Sequence, residues 1–235
     1  MADADQSTIF VDIYSYFLWI YYYLVIVFNL SYIWKCPAES VLLPFYSENF
    51  SQSHLDCGVA DGYFPSSTLK RPYRAQTEHE LTLLDLNENA LGTASQRVSS
   101  VSPTTKIRMI KADIRAPLDP ELKLASFKSI SMFNVFHCVP GGSKKWKAFH
   151  NFKDLLSDDG VLVGCTVLGE KHAPTRLAWW YAALYNRLGF FNNWGDTKAD
   201  VESALRVSYE EVDTWVVGMM LLFKAGRPRR EGNRA

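Results

Sequence analysis

Two short phrases hold the residues whose types and spacing could do chemistry. His54-Leu-Asp-Cys-Gly-Val-Ala-Asp-Gly-Tyr63 carries Asp56, Gly58 and Gly62, and Leu81-Thr-Leu-Leu-Asp-Leu-Asn-Glu-Asn89 carries Asp85. The first reads as an apolar strand, a glycine turn and a helix. The second reads as a strand ending in an acid. A unit of this kind grips a nucleoside: the turn lets main chain approach the ligand, and an acid about 20 residues further on takes the ribose hydroxyls. An aspartate ahead of a helical run also makes a good N-cap, so Asp85 has a structural reading beside the ribose one.

These residues need a scaffold, and the rest of the chain supplies its pattern. Apolar runs predict strands at Ser53–Cys57, Glu80–Leu86, Ile107–Lys111, Phe127–Phe133 and Val161–Leu168. Arg206–Thr214 and Trp215–Lys224 read as a final strand pair. Helices are expected after the glycine turn to about Leu69, and over Asn87–Val98, Lys144–Leu156, Pro174–Leu188 and Thr197–Leu205. In the second of these, Ala90, Leu91, Ala94 and Val98 fall on one side. Strands alternating with helices predict an α/β fold, a Rossmann-like doubly wound sheet of seven strands, mostly parallel and covered on both faces. Three segments follow from composition: an aromatic helical cap over 1–50, the α/β domain over 51–226, and a basic flexible tail over 227–235.

Composition narrows the partners. The chain has 235 residues, with 25 basic and 25 acidic side chains and zero formal net charge. Without a basic field, nucleic acid is not an expected partner. Cys36, Cys57, Cys138 and Cys165 form no Cys-x-x-Cys pair, so free thiols in a reducing, cytoplasmic compartment are expected. The five histidines show no metal-ligand spacing, and no metal site is expected. From Ile9 to Trp34 the chain is nearly all apolar or aromatic, long enough for a span of about 20 residues. Its start is acidic and its tyrosines sit mid-stretch instead of at the two ends. Buried helices forming a lid are the first reading of this segment. A membrane anchor through 9–34 and a homo-oligomer surface are the others.

Four phrases together carry a family resemblance: His54-Leu-Asp-Cys-Gly-Val, Leu83-Leu-Asp-Leu-Asn, His137-Cys-Val-Pro-Gly and Val163-Gly-Cys-Thr-Val-Leu-Gly169. In this order the chain resembles the class I S-adenosylmethionine-dependent methyltransferases from Asp56 to about Lys224, and is similar to small-molecule methyltransferases of fungal secondary metabolism. The family's Asp-x-Gly-x-Gly-x-Gly turn departs here at two positions: Ala60 stands for the central glycine, and Asp61 stands where Thr or Ser is common. The resemblance implies an antiparallel last strand and S-adenosylmethionine as cofactor. It places Asp56, Gly58 and Gly62 at the methionine end, Asp61 near the ammonium group, Asp85 at the ribose, Asp113 and Ile114 at the adenine, and Asn134 beside the methyl group, with Ala60 and Leu86 also among the cofactor-binding residues.

An unperturbed imidazole suits general base work, which makes His137 the first candidate for a catalytic base and His172 the second. A packing or capping role is the alternative for each. Two aromatic clusters would build an apolar substrate pocket if they meet: Tyr14, Tyr22 and Trp34 from the first, and Trp179, Tyr185, Asn186 and Trp194 from the second. Methyl transfer to an oxygen of an apolar metabolite in secondary-metabolite biosynthesis is the expected reaction. The alternatives are a non-methylating isomerisation, cyclisation or elimination behind the altered turn, and a membrane-anchored or interaction protein using 9–34.

Overall fold

A computed structural model describes residues 22–74, 77–117, 122 and 124–230, with main chain alone for 22–27. Seven strands form one sheet: β1 Ser53–Cys57, β2 Glu80–Asp85, β3 Lys106–Lys111, β4 Phe127–Phe133, β5 Leu156–Val167, β6 Tyr209–Val217 and β7 Met220–Pro228. Their order is β3-β2-β1-β4-β5-β7-β6. The pairs from β3 to β5 are parallel, and β7 runs antiparallel to both β5 and β6. The chain winds outward from β1 to β3, then returns to lay β4 on the other side of β1. This reversal opens a crevice at the carboxyl ends of β1 and β4, where open α/β sheets bind ligands.

Six α-helices cover the sheet: α1 Leu43–Glu48, α2 Tyr63–Leu69, α3 Glu88–Val101, α4 Lys147–Lys153, α5 Arg176–Arg187 and α6 Lys198–Ser208. The central strands are buried on both faces, which explains their unbroken apolar runs. On one face Leu55, Ile130, Met132 and Phe223 pack against Phe149, Phe152 and Leu205 from α4 and α6. On the other, Leu83, Phe133 and Val163 pack with Phe64, Leu91 and Ala182 from α2, α3 and α5. Edge strand β3 exposes Lys106, Arg108 and Lys111, charges that discourage a further strand from pairing.

Residues 28–50 fold onto the same core as α2 and α5. A π-helical segment, Tyr22–Ile33, leads to a short π-helical turn at Ala38–Leu42 and then α1. Leu30, Ile33, Trp34, Leu42, Tyr46 and Phe50 are all buried there. The Trp34 carbonyl accepts from Met219 N at 2.8 Å, tying this segment to the hairpin at the carboxyl end of β5. Positions 9–21 of the proposed anchor lie outside the described residues. Among the described residues no helix is long and apolar enough to cross a membrane.

Several boundaries differ from the sequence expectation, each for a local reason. The final hairpin turns at Gly218 and Met219, not between Thr214 and Trp215, because Val201, Leu205 and Ser208 keep helical spacing on the buried side and carry α6 to Ser208. Ser157-Asp-Asp-Gly160, directly after the helix expected over Lys144–Leu156, is a bulged stretch within β5, where the pairing slips between Phe127↔Leu156 and Ser129↔Val161. The preceding helix is correspondingly short, a 3₁₀ turn at Gly142–Trp146 followed by α4. The tail boundary also moves. β7 continues to Pro228, and the Arg230 guanidinium pairs with Asp154 and Asp158 at 3.3 Å and donates to Lys153 O.

Candidate active site

The turn after β1 enters the crevice with three residues in left-handed conformation: Gly58 (φ 73), Ala60 (φ 49) and Gly62 (φ 73). Glycine adopts this region freely, whereas a Cβ there costs about 1–2 kcal/mol. Two of these sites also lack room for a side chain. A Cβ on Gly58 would fall on Val135 Cγ2, and one on Gly62 would lie 2.7 Å from the Ala94 main chain of α3. The cleft above is lined by Asp56, Gly58, Val59, Ala60, Asp61, Tyr63, Phe64, Phe133 and Asn134.

Asp56 ends a buried polar chain that crosses two strands. His54 and Asp56 share a face of β1, opposite Ser129 and Ser131 of β4 in register. His54 bonds Ser129 Oγ through Nδ1 at 2.6 Å and Ser131 Oγ through Nε2 at 2.8 Å, and Ser131 donates to Asp56 Oδ1 at 2.5 Å. The Tyr46 hydroxyl lies 3.2 Å from His54 Nε2, close enough to Asp56 to bear on its titration. Burial raises the Asp56 carboxyl from 3.8 to about 7, against the lowering effect of Ser131 and Tyr46. Burial likewise lowers His54 to about 3, so its ring is neutral.

Asp85 stands at the carboxyl end of β2. Burial raises its carboxyl, opposed by the main-chain N–H of Asn87, which donates to Oδ1 at 2.9 Å, and by the nearby N–H groups of Ala60, Val59 and Leu86. It thus stands where the turns after β1 and β2 come together. The N-cap of α3 is Asn87, whose side chain accepts from Asn89 N and Ala90 N, so the capping alternative for Asp85 falls away. Leu86 is half exposed beside it. Asp113 accepts from Arg115 N, Nε and Nη2. Burial pushes its carboxyl up, and the arginine outweighs this to leave it below its usual value. Ile114 is buried next to it.

Asn134 leaves β4 with a left-handed φ of 58 and lines the cleft. Its Nδ2 is buried with no hydrogen-bond partner. An orphaned donor of this kind carries a free-energy penalty until a ligand acceptor satisfies it. Carboxylates for a cation, a free amide donor and a turn with no room for added side chains fit the charged amino-acid end of S-adenosylmethionine.

The two histidines are placed elsewhere. His137 is buried behind β5, its Nδ1 accepting from Val167 N at 3.3 Å and its ring 4.4 Å from that of Phe191. Burial, then the nearby Lys145 charge, lowers it to about 3. It does not line the cleft, and its packing fits the structural alternative. His172 sits partly exposed in a 3₁₀ turn after β5.

Trp34 of the first aromatic cluster packs on Tyr185 of the second, and neither lines the cleft. Trp34 lies 6.3 Å from Tyr185 and 5.7 Å from Phe191, and Asn29 donates to the Tyr185 hydroxyl at 3.0 Å. Trp179 packs on Trp194 at 5.6 Å, both on the exposed side. Asn186 exchanges hydrogen bonds with Asn193, knitting α5 to the following loop. Tyr14, and the side chain of Tyr22, lie outside what is described. Sequence reading missed Tyr46, Phe64, Phe133 and the His54–Ser131 chain. The signal was present in the paired polar alternations His54-x-Asp56 and Ser129-x-Ser131 within otherwise apolar strands.

Comparison with known proteins gives this geometry its context. The methyltransferase domain family matches residues 55–162. The chain is 47% identical to the O-methyltransferase NEC2 of Pyricularia oryzae, covering 98% of this chain and 97% of that protein. It is 40% identical to the methyltransferase verB of Penicillium polonicum, covering 90% and 94%. The fold matches the N-methyltransferase NodS of Bradyrhizobium japonicum, solved with S-adenosyl-L-homocysteine, at a TM-score of 0.54 and 20% identity over 80% of this chain and 85% of that one. The chain belongs to the S-adenosylmethionine-dependent methyltransferases.

Proposed function

We propose that this methyltransferase acts on a hydroxyl oxygen of an apolar small molecule in a secondary-metabolite pathway of the cytoplasm. The observation that carries the proposal is the cleft itself, where Asp56 and the unpaired Asn134 amide face the same space as Phe64 and Phe133. Bound S-adenosylmethionine supplies a methyl group already activated on a sulfonium. Asp56 holds the ligand ammonium, and the main chain from Gly58 to Gly62 backs the amino-acid end. Asp85 takes the ribose diol, with Leu86, Asp113 and Ile114 around the nucleoside. Asn134 orients the reacting end.

The chain's contribution is alignment. Holding two reactants in line accounts for about 7–11 kcal/mol of a barrier, and needs no strong acid or base. Among the described residues no histidine lines the cleft, and His137 is held neutral away from it. A phenol or an enol, whose hydroxyl sheds its proton readily, is the acceptor that suits a site working by alignment. Phe64 and Phe133, which line the cleft, give it the apolar wall that would shed water around an apolar acceptor.

Incubation with S-adenosylmethionine and a panel of apolar phenols, enols and amines, read by mass spectrometry, tests this reading. A gain of one methyl group on phenolic or enolic oxygen is expected. Methylation confined to amines would move the reaction to nitrogen. A rearranged product of unchanged mass would contradict methyl transfer.

A further inference from the structure

The turn departs from the family's glycine spacing at two adjacent positions, Ala60 and Asp61, and the structure couples them. Ala60 keeps the left-handed conformation that a Cβ resists. Asp61, beside it, is buried. Its Oδ1 accepts from Tyr63 N at 3.2 Å, and its Oδ2 pairs with Arg97 Nη1. The same Nη1 reaches the Asp61 main-chain oxygen at 3.4 Å, and the guanidinium lies 5.7 Å from the Tyr63 ring centre. Arg97 stands on α3 three positions after Ala94, the residue that packs against Gly62. Residues three apart share a helix face, so α3 holds the turn at two successive points.

We infer that Arg97 is a positioning residue for the cofactor: its grip on Asp61 keeps Ala60 left-handed and the turn open, in place of the family's central glycine. The Asp61 carboxylate is thereby committed within the protein, which leaves Asp56 for the ligand ammonium. Without the grip, right-handed and extended forms at Ala60 compete with the binding form. Apparent affinity then falls with the competent fraction. A glycine at 60 removes the handicap and makes the grip redundant.

The test compares the wild type with Arg97→Met, Ala60→Gly and the double variant. Each is titrated with S-adenosylhomocysteine by calorimetry, and amide exchange at residues 59–62 is followed in the ligand-free proteins. Arg97→Met is expected to weaken binding about tenfold and to speed exchange in the turn. In the Ala60→Gly background the same substitution is expected to cost no more than about twofold. Asp61→Asn breaks the pair from its other side and should show the same dependence on residue 60, which covers the case of Arg97→Met folding poorly. Equal losses in both backgrounds, or no loss in either, would overturn the inference. Failure of the wild type to bind would instead contradict the cofactor reading on which it rests, with all variants silent together.

Discussion

At the scale of single residues, the titration of Asp56 gives the sharpest handle. Burial raises its carboxyl from 3.8 to about 7. The neutral form is favoured in the ligand-free fold, so its contribution to stability is complete below pH 3.8 and is lost as pH rises through about 7. A ligand ammonium reverses that preference, because it favours the ionised acid. Affinity for S-adenosylhomocysteine should therefore rise between about pH 5 and pH 7, and calorimetry across this range should show Asp56→Asn flat and weaker by about 10- to 100-fold. Asp85→Ala should also weaken binding by at least about tenfold, since on the proposed reading it removes the acceptor for the ribose diol. Undiminished affinity in that variant would remove Asp85 from the site.

At the scale of elements, the turn and the helices around it are closely fitted. Gly62→Ala should destabilise the protein by about 1–3 kcal/mol in chemical denaturation, because its Cβ meets main chain of α3 and its φ is left-handed. Ser131→Ala strips hydrogen bonds from His54 and Asp56 inside the core and should cost about 1–3 kcal/mol. Much of this level was legible in the sequence. β1 and β4 have the expected bounds because continuous apolar runs flanked by turn residues leave little choice. The hairpin and β5 were misjudged where tertiary pairing overrode local signals: Gly160 sits in a bulge, and Gly218 makes the real turn against Trp34. Asp56, Asp61 and Asn134 could be named from the motif. Tyr46 and Arg97 could not, because each reaches the site from an element whose packing only the fold reveals.

At the scale of the whole molecule, residues 28–50 are part of the structural core. Trp34 is 2% exposed and touches Tyr185, Phe191 and the β6–β7 turn. Trp34→Ala should therefore cost about 3–5 kcal/mol, measured by urea unfolding. A loss under about 1 kcal/mol would mean that this segment is a detachable lid. The same core reaches the cleft wall: Tyr46 packs on Phe133, which lines the cleft, with ring centres 5.1 Å apart. Calorimetric titration of the wild-type chain with S-adenosylhomocysteine asks whether the β1–β4 crevice takes the cofactor despite Ala60. Micromolar binding of one equivalent per chain, weakened in both Asp56→Asn and Asp85→Ala, is expected. No binding by a well-folded sample, or binding untouched by both substitutions, would contradict this placement of the cofactor.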